Sequence, residues 1–402
     1  MLIWLVLIPL IAAALIGLCK APARPTALLS ASLTLALGIW ALVSFDGCSS
    51  CWSRFEGMDL QLTLAPALSK VMLLLTILVT FATVLGTNPP QGGEASWYNS
   101  ALLISAGATG AFLSDNIISF HELALIPTFV MIGLYGRGDR RTTAWRATLY
   151  LGLASMVLLA ALLMIGTQAG FTFSGLKDFM ASGRELAHAE LIGALLIAGF
   201  GTLISLFPFH SWAAPAYASA PAPVAMMHAG VLKKFGLYGL FMFQPLMETG
   251  FLPWTNILLV LLVCNVIWVG YVTVNQKRLD LLLGNSSVMH MGYIFLAFAA
   301  LVVSGSAEAN PWALKGAALL MLAHGLTIAL LFLLCGQIEK QTGTLEINSL
   351  GGLSTRLPRM AFVFGLAGMA SIGLPGLANF PGEFMVFFSG FAGFSNGFGP
   401  VQ

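Results

Sequence analysis

The chain has 402 residues, of which 58% are hydrophobic and only 8% are charged, and its formal net charge at pH 7 is +2. Soluble domains carry about 25% charged residues, so this chain has too few polar side chains to cover a water-soluble globule. The small net charge, with no basic patch, does not favour a nucleic-acid partner. The composition therefore predicts an all-α, polytopic bundle of transmembrane helices whose solvent is the lipid bilayer.

Twelve segments of the chain are apolar enough to be membrane spans, since a helix needs about 20 residues to cross the hydrocarbon core. In chain order they are residues 2–19, 27–45, 67–87, 98–115, 116–135, 144–167, 190–209, 222–245, 254–275, 286–304, 314–336 and 359–395. The last segment is long enough to hold two half-helices with a loop between them.

The loop between the second and third spans contains Cys48 and Cys51 in a C-x-x-C pattern. A redox or metal role would require a second cysteine pair or a βαβ context, and the sequence has neither. We expect a disulfide there if the loop faces an oxidising compartment.

Lysine and arginine in the connections predict the orientation of the helices. With the N-terminus outside, the inside connections carry eleven of these residues and the outside connections carry five. The eleven are Lys20, Arg24, Arg137, Arg140, Arg141, Arg146, Lys277, Arg278, Lys340, Arg356 and Arg359, and the five are Arg54, Lys70, Lys177, Arg184 and Lys315. This bias predicts an outside N-terminus, and we expect a multi-pass protein of the bacterial inner membrane.

Proline interrupts two of the spans, the seventh and the twelfth. Pro208 lies within residues 203–210, and Pro375 and Pro381 lie within residues 372–384. Proline removes a helix N–H and clashes with the preceding turn, and in lipid the freed backbone groups are tolerated only beside protein or water. Interruptions at corresponding places in two halves of a chain indicate an ion or substrate path built from a repeat.

Among the ionisable residues within the predicted spans, four groups stand out: Glu122, the pair Lys233 and Lys234, His324, and Glu383. A charge at the bilayer centre costs at least ~2.5 kcal/mol, so such groups normally face the bundle interior and find partners there. We interpret these five residues as a proton relay, and we give less weight to His121, His228 and His290.

Ordinary structural roles remain open for several of them. Glu122 could lie near an interface and cap a helix, and a single buried His324 is more often a hydrogen-bonded core residue. Lys233 and Lys234 are about 100° apart on a helix. One of them is therefore expected to meet a carbonyl, another subunit or a lipid headgroup.

Three motifs stand close together in the chain: F-P-F-H-S-W at 207–212, A-P-A-P-V at 220–224 and A-G-V-L-K-K-F-G-L-Y-G-L at 229–240. With the segments 120–127, 286–292, 324–326 and 374–384, they resemble the motifs of the antiporter-like subunits of respiratory complex I and of the Mrp cation/proton antiporters. The resemblance extends from about residue 98 to residue 390. Glu383 after the second interruption points to the M-type subunit of NADH-quinone oxidoreductase.

The resemblance implies two inverted five-helix repeats, each with a discontinuous helix, and a midplane chain of charged and histidine groups. Carried over to this sequence, Glu122 would be the fifth-helix carboxylate, Lys234 the connecting lysine, His324 a bridging histidine and Glu383 the exit-side group. Such a subunit binds no cofactor of its own. NADH, flavin, Fe–S clusters and quinone are expected on other subunits of the assembly.

Three positions or features depart from the family pattern. Leu203 stands where the family usually has a lysine, seven residues before the histidine of F-P-F-H, and Lys233 is a candidate to supply that charge. His121 replaces a tryptophan. The chain also has fewer helices than family members usually have. We divide it into an N-terminal unit at residues 1–97, a first repeat at 98–245 and a second, apparently incomplete repeat at 246–402.

The leading functional hypothesis is a proton-translocating membrane subunit of a complex I-like NADH:quinone oxidoreductase. It would act within that enzyme as a non-redox subunit, with other membrane subunits, lipid and protons as its partners. The alternatives are an Mrp-type Na⁺/H⁺ antiporter subunit, a membrane subunit of a hydrogenase-type complex, and a non-conducting structural subunit. Leu203 is the residue that keeps the structural alternative open.

Overall fold

A computed structural model describes residues 1–44, 49–55, 58–90, 92–118 and 125–397, and the predicted all-α bundle is confirmed. The N-terminal part contains α1 (Ile3–Gly17), α2 (Ala23–Ser44), the antiparallel strands β1 (Ser49–Phe55) and β2 (Met58–Thr63), and α3 (Ala67–Gly86). A first series follows with α4 (Glu94–Leu113), α5 (Leu125–Tyr135), α6 (Arg140–Ala169), α7 (Phe173–Ala181), α8 (Ala189–Ile204), α9 (Ala213–Ser219), α10 (Ala222–Met227), a π-helical turn (His228–Leu232) and α11 (Lys234–Met242). A second series contains α12 (Thr255–Val274), α13 (Leu279–Ser304), α14 (Pro311–Thr342), α15 (Leu353–Arg356), α16 (Pro358–Ser371) and α17 (Asn379–Gly397).

Each of the twelve predicted spans coincides with described helical residues, although the fifth, 116–135, is described as helix only from Leu125. Six described helical segments are long and apolar enough to cross a membrane: Ala23–Ser44, Ala67–Gly86, Arg140–Ala169, Gln244–Val274, Leu279–Ser304 and Pro311–Thr342. Shorter apolar helices, among them α1, α5 and α8, complete the bundle.

The two series place their interrupted helix at the same point, in the fourth crossing of each. In the first series the interrupted crossing is α8 and α9, and in the second it is α16 and α17. Because successive crossings alternate in direction, α4 starts from the arginine-rich face of the bundle and α12 starts from the opposite face. The arrangement is that of inverted repeats. The exact division at residues 97 and 245 stays a prediction.

Several cations used to predict orientation lie on helices and not in loops. Lys315 and Lys340 lie near the two ends of α14, which has 32 residues and so extends beyond the predicted span 314–336. Lys70 lies in the first turn of α3. Long lysine side chains near helix ends reach the interface with their ammonium groups, so these residues still contribute to the charge bias of each face.

Ion pairs on the arginine-rich face tie the two series together. Arg137, in the loop after α5, pairs with Glu339 of α14 and donates to the carbonyl oxygen of Ala220, 3.0 Å away. At the start of α13, Arg278 donates to the buried carboxylate of Asp280 at 2.7 Å, and this hydrogen bond raises the pKa of the Arg278 guanidinium. The junction between α9 and α10 is therefore held to α14 at this face.

Close contact between two glycines brings the π-helical turn against α14. A Cβ at Gly230 would lie 3.2 Å from the carbonyl oxygen of Gly325, and a Cβ at Gly325 would lie 2.8 Å from that of Gly230. Small residues allow helix backbones to approach closely in membranes. His324 precedes Gly325, so this crossing places the histidine of α14 beside the turn that leads into Lys233 and Lys234.

Candidate functional site

The first predicted interruption is present between α8 and α9, around Pro208. The freed backbone groups find partners on neighbouring side chains. Trp212 donates through its indole N–H to the carbonyl oxygen of Thr202 at 3.2 Å, and the N–H of Phe207 donates to Asn265 Oδ1 at 3.1 Å. The break is therefore compensated inside the protein, as a hydrocarbon surrounding requires.

The second interruption is present between α16, which ends at Ser371, and α17, which begins at Asn379. The carbonyl oxygen of Ser371 lies 2.8 Å from His290 Nε2 and accepts from Asn379 Nδ2 at 3.4 Å. Gly373 and Gly376 adopt φ values of +68° and +92°, a backbone conformation that residues other than glycine rarely adopt. Two polar side chains thus converge on the end of the broken helix.

Lys233 and Lys234 are both buried and diverge from the π-helical turn, as their angular separation predicts. Lys234 Nζ donates to the carbonyl oxygen of Ala229 at 2.6 Å, so one lysine meets a carbonyl. Lys233 Nζ has no hydrogen-bond partner among the described residues and lies 5.3 Å from the centroid of the Tyr217 ring. Neither side chain extends to a headgroup, because their exposed fractions are 1% and 0%.

Lys233 faces the second half of the first broken helix. Tyr217 belongs to α9, and its hydroxyl lies beside Ser205, the residue directly after the end of α8. The ring of His228 packs 5.3 Å from that of Tyr217. Leu203, in the last turn of α8, is buried. A lysine, a tyrosine, a serine and a histidine therefore gather at the first interruption, where a cation was expected.

His324 and His290 form a stacked pair between α14 and α13. Their ring centroids are 5.1 Å apart and the planes differ by 11°. His324 Nε2 lies 3.3 Å from the Ser287 hydroxyl, and its Nδ1 has no partner among the described residues. A core histidine with only a structural role would normally have both nitrogens satisfied, so the free Nδ1 favours a functional role for His324.

His290 connects this pair to the second interruption, and sequence reasoning gave it too little weight. Its Nδ1 lies 2.8 Å from the carbonyl oxygen of Ser286, and its Nε2 lies 2.8 Å from that of Ser371. A neutral imidazole has one N–H, whereas the cationic ring has two. The two carbonyls therefore compensate a positive charge on His290 whenever the ring binds a second proton.

Glu383 lies at the far end of this series of groups. Its Oε1 is 4.0 Å from His290 Nε2 and has no hydrogen-bond partner among the described residues. The carboxyl group rests against Gly373, where a Cβ would overlap with Oε2. The site residues brought together are thus Lys233, Lys234, His324 and Glu383, with His290 as an addition.

Two sequence predictions fall outside the described residues. Glu122, the expected fifth-helix carboxylate, belongs to the segment 119–124, which the structure does not describe. Cys48 also lies outside the described residues, so the predicted disulfide with Cys51 is untested.

Two cavities open near the ends of the helix that carries the lysines. One, of about 810 Å³, lies on the face of the β1–β2 hairpin and is lined by Asp115, Lys177 and Met242. The other, of about 560 Å³, lies on the arginine-rich face and is lined by Pro221 and Glu339. The described candidate site residues do not line either cavity.

Comparisons with known proteins show which proteins the chain resembles. The family model described as NADH:quinone oxidoreductase/Mrp antiporter, transmembrane region, matches residues 115–397. An NAD(P)H-quinone oxidoreductase chain 4 of Microcystis aeruginosa is 33% identical over 330 residues, which make up 80% of this chain and 57% of that protein. The chain therefore spans less than two-thirds of the length of this curated relative.

Solved structures share the fold. A chain of respiratory complex I from Thermus thermophilus matches with a TM-score of 0.86 and 26% identity, over 97% of this chain and 82% of that one. A chain of the Mrp complex from Dietzia sp. DQ12-45-1b matches with a TM-score of 0.85 and 22% identity, over 98% and 45% of the two chains, and the likeness is in fold alone.

We predict that Gly373→Ala displaces the Glu383 carboxyl group and that Gly376→Ala does not. Both substitutions force alanine into positive φ, at a cost of about 1–2 kcal/mol each. Only the Cβ added at Gly373 meets the carboxyl group, since nothing lies within 4 Å of a Cβ added at Gly376. The measurement is the infrared carboxyl band that disappears in Glu383→Gln. It should shift in Gly373→Ala alone; equal spectra in the two alanine variants would contradict the packing described here.

Proposed function

Because the chain belongs to the NADH:quinone oxidoreductase/Mrp antiporter family of transmembrane subunits, we propose that it translocates protons within a complex I-like assembly. The observation that carries the proposal is the series of buried ionisable groups from the π-helical turn to the second interruption. Buried ionisable groups in a membrane bundle mark ion or proton pathways, since they are costly unless paired. The curated relative with 33% identity, a chain of an NAD(P)H-quinone oxidoreductase, favours coupling to a redox reaction.

The proposed path runs from Lys234 through His324 and His290 to Glu383. A proton taken up by the neutral amine of Lys234 forms an ammonium group, which passes a proton to a ring nitrogen of the histidine pair, with water bridging gaps longer than a hydrogen bond. The pair in turn delivers a proton to the Glu383 carboxylate. At each step one proton leaves a donor and one lone pair accepts it, so charge moves across the bundle without any redox chemistry in this chain.

Lys233 would serve the first interruption in place of the lysine that Leu203 replaces. Its ammonium group has the Tyr217 ring as a cation–π partner at 5.3 Å and no carbonyl acceptor among the described residues. A charged group held this loosely can respond to its neighbours more readily than one fixed by several hydrogen bonds. Glu122 would be its carboxylate counterpart on the fifth helix.

The remainder of the proposal concerns the assembly. NADH, flavin, Fe–S clusters and quinone would be bound by other subunits, and this chain would occupy the M-type position among membrane subunits. The chain would lie in the bacterial inner membrane, and the charge bias of the loops supports an outside N-terminus. The domain division at residues 97 and 245 corresponds to an N-terminal unit followed by two repeats.

We predict that Glu383→Gln and Lys234→Met each slow NADH-driven proton uptake by vesicles at least ~10-fold per electron transferred, equivalent to ~1.4 kcal/mol. Each variant keeps the side-chain size but removes a titratable group. Glu308→Gln is the control, because Glu308 is exposed in the loop before α14. Normal uptake in both test variants would refute the relay.

A second prediction concerns which residue supplies the ammonium group at the first interruption. Leu203→Lys alone should leave the uptake rate unchanged, since Lys233 already supplies the charge, whereas Lys233→Leu should reduce it. The double variant Leu203→Lys/Lys233→Leu should recover much of the rate, because it returns an ammonium group to the same interruption. If Lys233→Leu pumps like the wild type, the role assigned to Lys233 is wrong.

A further inference from the structure

Asn379 is a buried amide at the second interruption, and its side-chain oxygen accepts no hydrogen bond from the described residues. It is the first residue of α17 and has an exposed fraction of 0%. Its Nδ2 donates to the carbonyl oxygen of Ser371, which is left free where α16 ends. Its Oδ1 has no hydrogen-bond donor among the described residues. Because a carbonyl oxygen accepts hydrogen bonds, the amide end that contacts Ser371 is the nitrogen, and the opposite end is the oxygen Oδ1.

Glu383 lies one helical turn after Asn379, on the same face of α17, since residues four apart on a helix are neighbours. Its Oε1 also lacks a partner among the described residues. Both side chains rest on the same short turn, because the amide contacts Ser371 while the carboxyl group rests against Gly373. Two acceptor oxygens without donors among the described residues therefore belong to neighbouring side chains at the end of the broken helix.

A buried acceptor without a donor costs about 1–3 kcal/mol, and a single hydrogen between these two oxygens removes both deficits. A protonated carboxylic acid carries such an O–H group, and the amide oxygen is an acceptor. We infer that Asn379 is the positioning residue of the relay, which accepts the O–H of protonated Glu383 through Oδ1. This inference rests on the proposed function, because it requires that a proton reaches Glu383.

Asn379 would distinguish the two protonation states of Glu383. One N–H of its NH₂ group donates to Ser371, and its Oδ1 is an acceptor, which can bond the acid's O–H but repels the carboxylate. When Glu383 releases its proton to the next carrier, the O–H···Oδ1 bond breaks. The carboxylate is then left facing His290 Nε2, 4.0 Å away. Asn379 thus stabilises the acid, the carboxylate that remains faces His290, and the released proton passes to water on the exit side of Glu383.

The test is infrared difference spectroscopy of the assembled complex, together with proton uptake by vesicles. In the wild type, the carboxyl band that disappears in Glu383→Gln should have the frequency of a hydrogen-bonded acid. In Asn379→Leu, which is similar in size, that band should move to higher frequency and vanish at a lower pH, because the hydrogen bond that favours the neutral acid is gone. Uptake should fall roughly two- to tenfold, as expected for one neutral hydrogen bond.

Asn310→Leu is the matched control. Asn310 is also fully buried, donates through Nδ2 to a carbonyl of α17 (that of Ser389, 2.9 Å) and has an unpartnered Oδ1, but its hydrogen bonds involve only serines. It should lower stability without moving the Glu383 band. If Asn379→Leu does not assemble, the wild-type band still decides, since a frequency typical of a non-bonded acid would overturn the inference.

The outcomes separate this inference from the proposed function. If Glu383→Gln pumps normally, the relay itself fails. If Glu383→Gln abolishes uptake while Asn379→Leu leaves both the band and the rate unchanged, the relay stands and the positioning role of Asn379 is wrong. A loss of uptake in Asn379→Leu with an unmoved band would also contradict the inference, because it would indicate a structural defect only.

Discussion

Every polar backbone group freed inside a hydrocarbon layer must find its partner within the protein, and the two interrupted helices meet this requirement differently. At the first interruption the partners are Trp212 and Asn265, neither of which titrates. At the second, the freed Ser371 carbonyl has two partners, Asn379 and His290. One of the groups that complete the broken helix is therefore itself able to carry a proton, and the fold and the proposed path share one contact.

The contact between His290 and the Ser371 carbonyl is the end point of a series of contacts that arranges the remaining buried groups. The Gly230–Gly325 crossing brings α14 against the π-helical turn, and the stacked histidines extend from α14 to the second interruption. The π-helical turn is also where Lys234 finds its acceptor, the carbonyl oxygen of Ala229. Irregular backbone thus occurs at two places in the path, the π-helical turn and the second interruption, and at each of them a titratable side chain lies against it.

The sequence predicted those features that depend on local chemistry. Apolar length located the spans, proline located both interruptions, and charge within apolar segments selected Lys233, Lys234, His324 and Glu383. It could not predict features that depend on contacts distant along the chain. His290 acquires its importance from Ser371, which is 81 residues away, and Asn379 from an amide orientation that only the folded turn determines. The burial of both lysines follows from the π-helical turn, for which the sequence has no periodic signal.

The central claim is that His290 both completes the second interruption and carries protons, and the substitution His290→Gln separates the two roles. Glutamine keeps an N–H donor for the Ser371 carbonyl but cannot take up a proton at neutral pH. The most direct measurement is NADH-driven proton uptake by vesicles that contain the assembled variant complex. Our account predicts normal assembly with uptake lowered to the level of Glu383→Gln, and uptake equal to the wild type would contradict it.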